Sequence, residues 1–432
     1  MTRHFSRCLV QIRRKYASVP RFPSSMLSVA EAFARVLATA RPLPSETVAL
    51  PHAAGRVLAE TLTADRDFPP FNRVAMDGIA VAHATWAAGQ TEFAIEHTQY
   101  AGAPPQPLRN PQAAVEVMTG AMLPPGTDAV VRYEDILLEN DRATIQIPPP
   151  AAPGVNIHRQ AADRRVGDVL LTPGTRLGPA ELAIAATVGA AELAVVRAVR
   201  VAVVSTGDEL VGIAETPLPH QIRRSNAYAL QAIFAQAGAE VSLFHLSDAL
   251  DELREGLTSI LGAGFDAVVL SGAVSKGRAD HLPGLLRELH VIEIFHEVNQ
   301  RPGKPMWFGA RAEGPVVFGL PGNPVSTFIT ACRYVRPWLR ACQQPAGATE
   351  SAASFEMPTP VVLSVDITFK PQLVHFVPVR LTVDAAGVRQ AAPLRVGGSG
   401  DLAGLVGATA FLELPPEPTA FAAGSVWPAW PL

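Results

Sequence analysis

The sequence predicts a multidomain α/β protein organised around a doubly wound, mostly parallel sheet. Three observations point there. At 432 residues the chain is too long for one core. From about residue 199, short β-branched runs alternate with helical patterns, the signature of strand–helix–strand units. On either side, residues 46–149 and 358–432 carry short apolar runs broken by Pro and Gly, which reads as β structure with loops.

Residues 1–25 contain Arg3, Arg7, Arg13, Arg14, Lys15 and Arg21 and no acid. An organellar presequence, a disordered tail and a mis-called upstream start all share that composition, so the segment reads as a leader outside the fold. Ser28 and Glu31 form a capping-box pattern ahead of Val29, Phe33, Val36 and Leu37, which predicts a helix and an ordered start near Met26. Residues 26–45 and 150–198 are read together as a helical connecting domain, with a second helix beginning at Pro179-Ala180-Glu181. Residues 46–149 form a β-rich domain.

The central domain spans 199–342. Val201–Val204 is a buried strand, and Ser225–Ala237 is a helix carrying Leu230, Ile233 and Phe234 that stops at Gly238. Val241–Leu246 is a strand, followed by a helix with Leu253, Leu257, Ile260 and Leu261. Ala267–Leu270 and Val316–Phe318 are further strands, and Asn323-Pro324 supplies an N-cap and a first-turn proline to the next helix. After a small-residue linker at 343–357, residues 358–432 show strands at Pro360–Val365, His375–Leu381 and Ala408–Leu414, as in a small β-barrel.

Composition excludes several classes. A net charge of -3 offers no bulk polyanion surface, so nucleic-acid binding is not expected. Cys8, Cys332 and Cys342 form no metal-ligand cluster and fit a reducing, cytoplasmic compartment. The longest uncharged run, Gly314–Cys332, is broken by Pro321-Gly322-Asn323-Pro324 and is no membrane span.

In a doubly wound sheet, ligands bind beyond the carboxyl ends of the strands. Four segments fall there: Ser205-Thr206-Gly207-Asp208-Glu209, Ser247-Asp248, Ser271 to Asp280, and Gly319 to Pro324. In the third, Ser271, Gly272, Ser275 and Gly277 let backbone amides and hydroxyls approach an anion, while Lys276 and Arg278 add charge. Asp280 beside such a cradle suits Mg²⁺ bridging to phosphate, with Asp248 and Glu209 as partners in the metal set. The same carboxylates also suit helix capping. Arg301-Pro302-Gly303-Lys304-Pro305 places two cations around a rigid turn. Met76-Asp77-Gly78 and Met118-Thr119-Gly120 add a carboxylate and a hydroxyl from the β-rich domain. Neither GxxxxGK[ST] nor a strand-borne GxGxxG occurs.

Taken in order, these segments resemble the molybdopterin molybdenumtransferase family, known as MoeA in bacteria and as the E domains of plant Cnx and gephyrin. The resemblance runs from about Ser28 to Leu432. It also takes in Pro70-Phe71-Asn72, Gly167-Asp168-Val169-Leu170 and Gly174-Thr175. It implies a molybdopterin-binding sheet domain and an elongated homodimer whose active site is shared between subunits. It implies site roles for Asp77, Thr119, Asp163, Glu209, Asp248, Asp280, Arg301, Lys304, Pro321 and Pro324, and more loosely for Arg380 and Ser399. The implied reaction is Mg²⁺-dependent insertion of molybdate into adenylyl-molybdopterin with release of AMP. Implied partners are a molybdopterin adenylyltransferase and apo-molybdoenzymes. An adenylyltransferase and a non-catalytic gephyrin-like scaffold are the alternative readings.

Several positions depart from the family pattern. A Gly-Glu-Asp run is Ala161-Ala162-Asp163 here, and the arginine before it is His158. Arg224 stands for an Asp or Asn, Ala273 for a glycine, Lys276 for a hydrophobe, Arg278 for a glutamate and Glu297 for a lysine.

Overall fold

The computed structural model describes residues 26–272, 282–345, 357–369 and 372–432. They divide into two compact units. One comprises the described part of Met1–Thr47 with Gly55–Ala59 and Ala194–Leu432, and the other comprises Val48–Ala54 and Glu60–Leu193.

The larger unit is built on a six-stranded sheet. Its strands are β1 (Val199–Thr206), β2 (Ala239–Leu246), β3 (Ala267–Ser271), β4 (Ile292–His296), β5 (Trp307–Ala310) and β6 (Val316–Leu320). Their spatial order is β2-β1-β3-β6-β5-β4. The first four are parallel, β5 runs antiparallel to β6, and β4 runs antiparallel to β5. Helices α1 (Ser225–Gln236), α2 (Leu250–Gly262), α3 (Leu282–Glu288) and α4 (Pro324–Thr330) accompany them. Alternate residues of β1 face opposite sides: Val201 and Val203 join Leu230 and Phe234 of α1, while Ala202 and Val204 join Leu257 of α2 and Leu285 of α3. A strand covered on both faces must be apolar throughout, which is why these runs stand out in the sequence.

β4 and β5 lie outside the alternation read from the sequence. Because β4 is antiparallel to β5 and β5 to β6, β4 runs in the direction of β6. Its C-terminal connection therefore emerges at the same edge as the ends of β1, β3 and β6, and that connection carries Arg301–Pro305.

The capping box at Ser28 is present, with Glu31 N donating to Ser28 Oγ and Ser28 N donating back to Glu31. It opens the helix Val29–Leu37, whose Val29, Ala32 and Val36 join the sheet-domain core on the α1 side. Residues 26–45 thus fold with the sheet, and 150–193 fold with the β-rich unit. Beyond α4 a π-helical turn, Ala331–Val335, leads into the helix Arg336–Cys342. In that turn Arg333 is 5% exposed. It lies 4.3 Å from the Phe33 ring and 4.1 Å from the Trp430 ring, with Nε donating to Glu413 at 3.0 Å. The first helix, the π-helical turn and the C-terminal domain meet on this one guanidinium.

The C-terminal strands Val374–Val383, Arg389–Pro393, Thr359–Leu363, Val426–Pro431 and Ala410–Leu414 close into a five-stranded barrel. Gln300–Arg301 adds to it in parallel, pairing with Val374 and His375. In the smaller unit a six-stranded sheet runs Ala129–Arg132, Gly78–Val81, Ala114–Val117, Glu92–Gln99, Arg142–Ile145, Ile136–Glu139 over a core containing Trp86 and Phe93. Among the described residues no helix is long and apolar enough to cross a membrane.

Candidate active site

At the carboxyl edge of the sheet, Glu209 and Asp248 are exposed on the loops after β1 and β2, two neighbouring strands. Asp208 joins these loops: its Oδ1 accepts a hydrogen bond from Asp248 N at 3.1 Å. The helix-capping role open to Asp248 is not taken, since the N-cap of α2 is Ala249 and no side chain caps it. The Gly207 backbone has a φ of +135°, and a Cβ there would lie 2.4 Å from the Glu209 carboxylate. A side chain at 207 would therefore displace Glu209. His245 Nε2 lies 3.1 Å from the Gly207 carbonyl and supports the same turn.

Ser271 is buried at the end of β3, and Gly272 follows with a φ of +110°. A Cβ at Gly272 would lie 3.2 Å from both the carbonyl and the hydroxyl oxygen of Thr206, so the loop starts in close backbone contact with β1. Thr206 is 4% exposed, and its hydroxyl has no hydrogen-bond partner among the described residues. Ser275, Gly277, Arg278 and Asp280 lie outside the described residues. Among the described residues no group of three metal-ligating side chains forms.

The turn after β6 is held from two sides. Asn323 occupies the N-cap position of α4, but its side chain makes no capping bond. Its amide donates to Ser399 Oγ at 2.9 Å, and the Ser399 carbonyl accepts from Val325 N at 2.9 Å. The C-terminal domain thus satisfies the first-turn amide that a capping side chain normally takes. Ser399 is brought to Pro321–Pro324 in this way. Arg380 is exposed on the barrel and donates to the Gly407 carbonyl at 3.3 Å.

Arg301 and Lys304 are both exposed, at either end of a turn whose foundations are buried. Gln300 is fully buried, its amide donates to the Gly303 carbonyl at 3.0 Å, and Tyr334 OH donates to its Oε1. Tyr334 comes from the π-helical turn, a local irregularity of the kind found at functional sites. A Cβ at Gly303 would meet Thr330 Cγ2 of α4 at 2.5 Å, so the cation turn packs directly on the helix that starts at Pro324. No residue-type signal marks Gln300 or Tyr334 in the sequence, because a buried amide bonding a carbonyl resembles any core polar residue.

Beside the turn, His375 stacks on Phe369 with ring centroids 3.9 Å apart, and the Arg301 guanidinium carbon lies 5.7 Å from the Phe369 ring. Burial, with the Arg301 charge second, pushes the His375 imidazole down to about 4. The unfolded chain then binds more protons than the folded one between about pH 4 and pH 6.5, and stability falls as pH drops through that window. Between pH 7 and about pH 5, His375→Gln is expected to lose about 1 kcal/mol less stability than the parent, after allowing for solvent screening at this partly exposed ring. Thermal unfolding at the two pH values measures it, and equal losses would remove His375 from the acid response.

In the smaller unit Asp77 and Thr119 meet. Asp77 Oδ1 accepts from Thr119 N, 42 positions away in sequence, and the Thr119 hydroxyl bonds the same carboxylate. Asp77 is therefore no local turn cap, and the Thr119 hydroxyl is engaged by this carboxylate. The backbone donor first, and the hydroxyl second, lower the Asp77 pKa below the ordinary carboxylate value. Asp163 Oδ1 lies 3.0 Å from His158 Nε2, and Arg73 Nη2 lies 3.0 Å from His158 Nδ1. Arg73 can only donate, so Nδ1 accepts and Nε2 donates to Asp163.

Comparison with known proteins agrees along most of the chain. Residues 27–189 match the MoeA N-terminal region (domains I and II), 202–341 a probable molybdopterin binding domain, and 360–432 the MoeA C-terminal region (domain IV). A molybdopterin molybdenumtransferase of Synechocystis sp. is 36% identical over 94% of this chain and all of its own length. One from Staphylococcus aureus is 31% identical over 92% of this chain and 94% of its own. A crystal structure of a molybdopterin biosynthesis moeA protein from Pyrococcus horikoshii superposes with a TM-score of 0.77 at 26% identity, covering 94% of this chain and 100% of that one.

Proposed function

Since this chain belongs to the MoeA family of molybdopterin molybdenumtransferases, we propose that it completes the molybdenum cofactor: it takes adenylyl-molybdopterin and molybdate, releases AMP and inserts molybdenum into the dithiolene. The observation that carries this reading is the strand-end edge. There Glu209 and Asp248, the Ser271-Gly272 strand end, the Pro321–Pro324 turn and the Arg301–Lys304 turn all emerge on one side of one sheet.

The substrate carries a phosphoanhydride. Lys304 and Arg301, held by the Gln300–Tyr334 network, bind its negative charge and stabilise the charge gathering on departing AMP. Gly272 lets the substrate approach the backbone closely. Glu209 and Asp248 are exposed hard-oxygen donors from adjacent loops, which fits Mg²⁺ held by one or two carboxylates with substrate phosphate oxygens. Asp280 is the third candidate for that set. When bound, Mg²⁺ would supply Lewis-acid polarisation of the phosphate. An oxygen of molybdate attacks the molybdopterin phosphorus, and the phosphoanhydride bond to AMP breaks. The Mo–O bond of the resulting phosphomolybdate then breaks as the two dithiolene sulfurs bind molybdenum, and their two protons leave with one oxo ligand as water.

Asp77, with its pKa lowered by Thr119, stays ionised at neutral pH and orients its ligand as an acceptor. Together with Thr119 and Asp163 it is proposed to complete the site across a C2 homodimer. An adenylyltransferase partner would deliver the substrate, and apo-molybdoenzymes would receive the product, in the cytoplasm.

Purified protein mixed with adenylyl-molybdopterin and Mg²⁺ is expected to release AMP only when molybdate is added. Consumption of ATP with molybdopterin in its place would favour the adenylyltransferase, and no turnover in either assay would leave a scaffold.

A further inference from the structure

Asn226 stands in the first turn of α1, where a short polar residue usually does no more than start a helix. Here its side chain reaches three partners. Nδ2 lies 2.8 Å from the Gly322 carbonyl, 3.0 Å from Ser271 Oγ and 3.3 Å from Thr327 Oγ1. These belong to the end of β3, the turn after β6 and helix α4. Thr327 in turn bonds the Pro321 carbonyl and, at 3.1 Å, the Asn323 carbonyl.

The two turns so joined touch backbone to backbone. A Cβ at Gly322 would lie 3.6 Å from Gly272 Cα, and Gly272 N donates to the Leu320 carbonyl at 3.2 Å. Among the described residues Gly272 Cα is the nearest atom that a Cβ at Gly322 would meet, so the spacing of the two turns depends on hydrogen bonds. We infer that Asn226 is a positioning residue for the reaction: its amide clamps the Ser271-Gly272 strand end to the Pro321–Pro324 turn and so fixes the spacing of these two segments at the ligand edge. The inference rests on the strand-end reading of the site given above. The cation turn is anchored separately, by Gln300 and Tyr334. Loss of the clamp therefore disturbs geometry while leaving most ground-state charge pairing in place.

Asn226→Asp keeps the size of the side chain but removes the donor and turns an oxygen toward the Gly322 carbonyl. Asn226→Ala removes the side chain. In the full-length protein both are expected to lower kcat for molybdate-dependent AMP release at least 10-fold, while KM for adenylyl-molybdopterin moves less than about threefold. Amide hydrogen exchange at Gly272 and across 322–327 is expected to quicken about 10-fold, with β1 unchanged. Parental kcat in Asn226→Asp overturns the positioning role, whatever the exchange shows. Parental exchange at both turns overturns the clamp. If the parent protein itself releases no AMP, the proposed function fails, and the exchange measurements still decide whether Asn226 holds the two turns together.

Discussion

Asp77→Asn is expected to reduce molybdate-dependent AMP release by about 100-fold or more, with little change in melting temperature. The variant keeps an acceptor for Thr119 N and removes the charge. Asp77 is exposed, so no core packing is lost. What disappears is a carboxylate that two Thr119 donors hold ionised. The proposed shared site makes a second, sharper expectation. Asp77→Asn and Asp280→Asn dimers, each inactive, are mixed under conditions that exchange subunits. In a heterodimer one site receives both altered residues and the other receives neither. Random exchange makes half of the dimers mixed, so about a quarter of parental activity returns. Mass spectrometry of differently labelled subunits establishes the exchange. Exchange without recovered activity would put both carboxylates in one subunit's site, or Asp77 outside the chemistry.

The largest stability effect is expected one residue later. Gly78 has a φ of +154° and opens a strand paired on both sides, with Val117 and with Arg132. A Cβ there would lie 1.9 Å from the Val131 carbonyl oxygen and 2.9 Å from Arg132 Cα. Both are backbone atoms of the neighbouring strand, so no rotamer change relieves the clash. Gly78→Ala is expected to destabilise the smaller unit by about 4 kcal/mol or more and to lower its melting transition by about 10 °C. Asp77 activity should fall with it, because the Asp77–Thr119 contact is built on that strand and its partner Ala114–Val117. Gly262→Ala, where a Cβ meets nothing within 4 Å, is the matched control and should leave stability near the parent value. Calorimetry with the two unit transitions resolved is the measurement. A Gly78→Ala transition within about 2 °C of the parent would show that the strand shifts freely, contrary to its two-sided pairing.

Much of this is legible in the sequence alone. The parallel strands announce themselves because burial on both faces demands uninterrupted apolar runs, and β1, β3 and β6 fall where such runs occur. The capping box at Ser28 is a local pattern and forms locally. β4 and β5 escaped because Ile292-Glu293-Ile294-Phe295-His296 and Trp307-Phe308-Gly309-Ala310 lack those long runs. Their direction, which carries the Arg301–Lys304 turn to the ligand edge, follows only from their pairing. Asn323 starts α4 as the Asn-Pro pattern predicts, yet the group that meets the Val325 amide comes from Ser399, 74 positions away in sequence.

By itself the sequence determined the doubly wound sheet and the family to which the motifs belong, and it singled out the candidate residues that lie at the strand ends. These depend on residue type and short-range spacing, which hydrophobic burial and backbone geometry read directly. Only the tertiary structure decided which polar side chains hold the site in shape: Asn226 between two turns, Gln300 and Tyr334 beneath the cation turn, and Thr119 on Asp77. A hydrogen bond is specific in distance and angle but not in residue type, so an amide or hydroxyl acquires its role only when the fold sets its partner within reach.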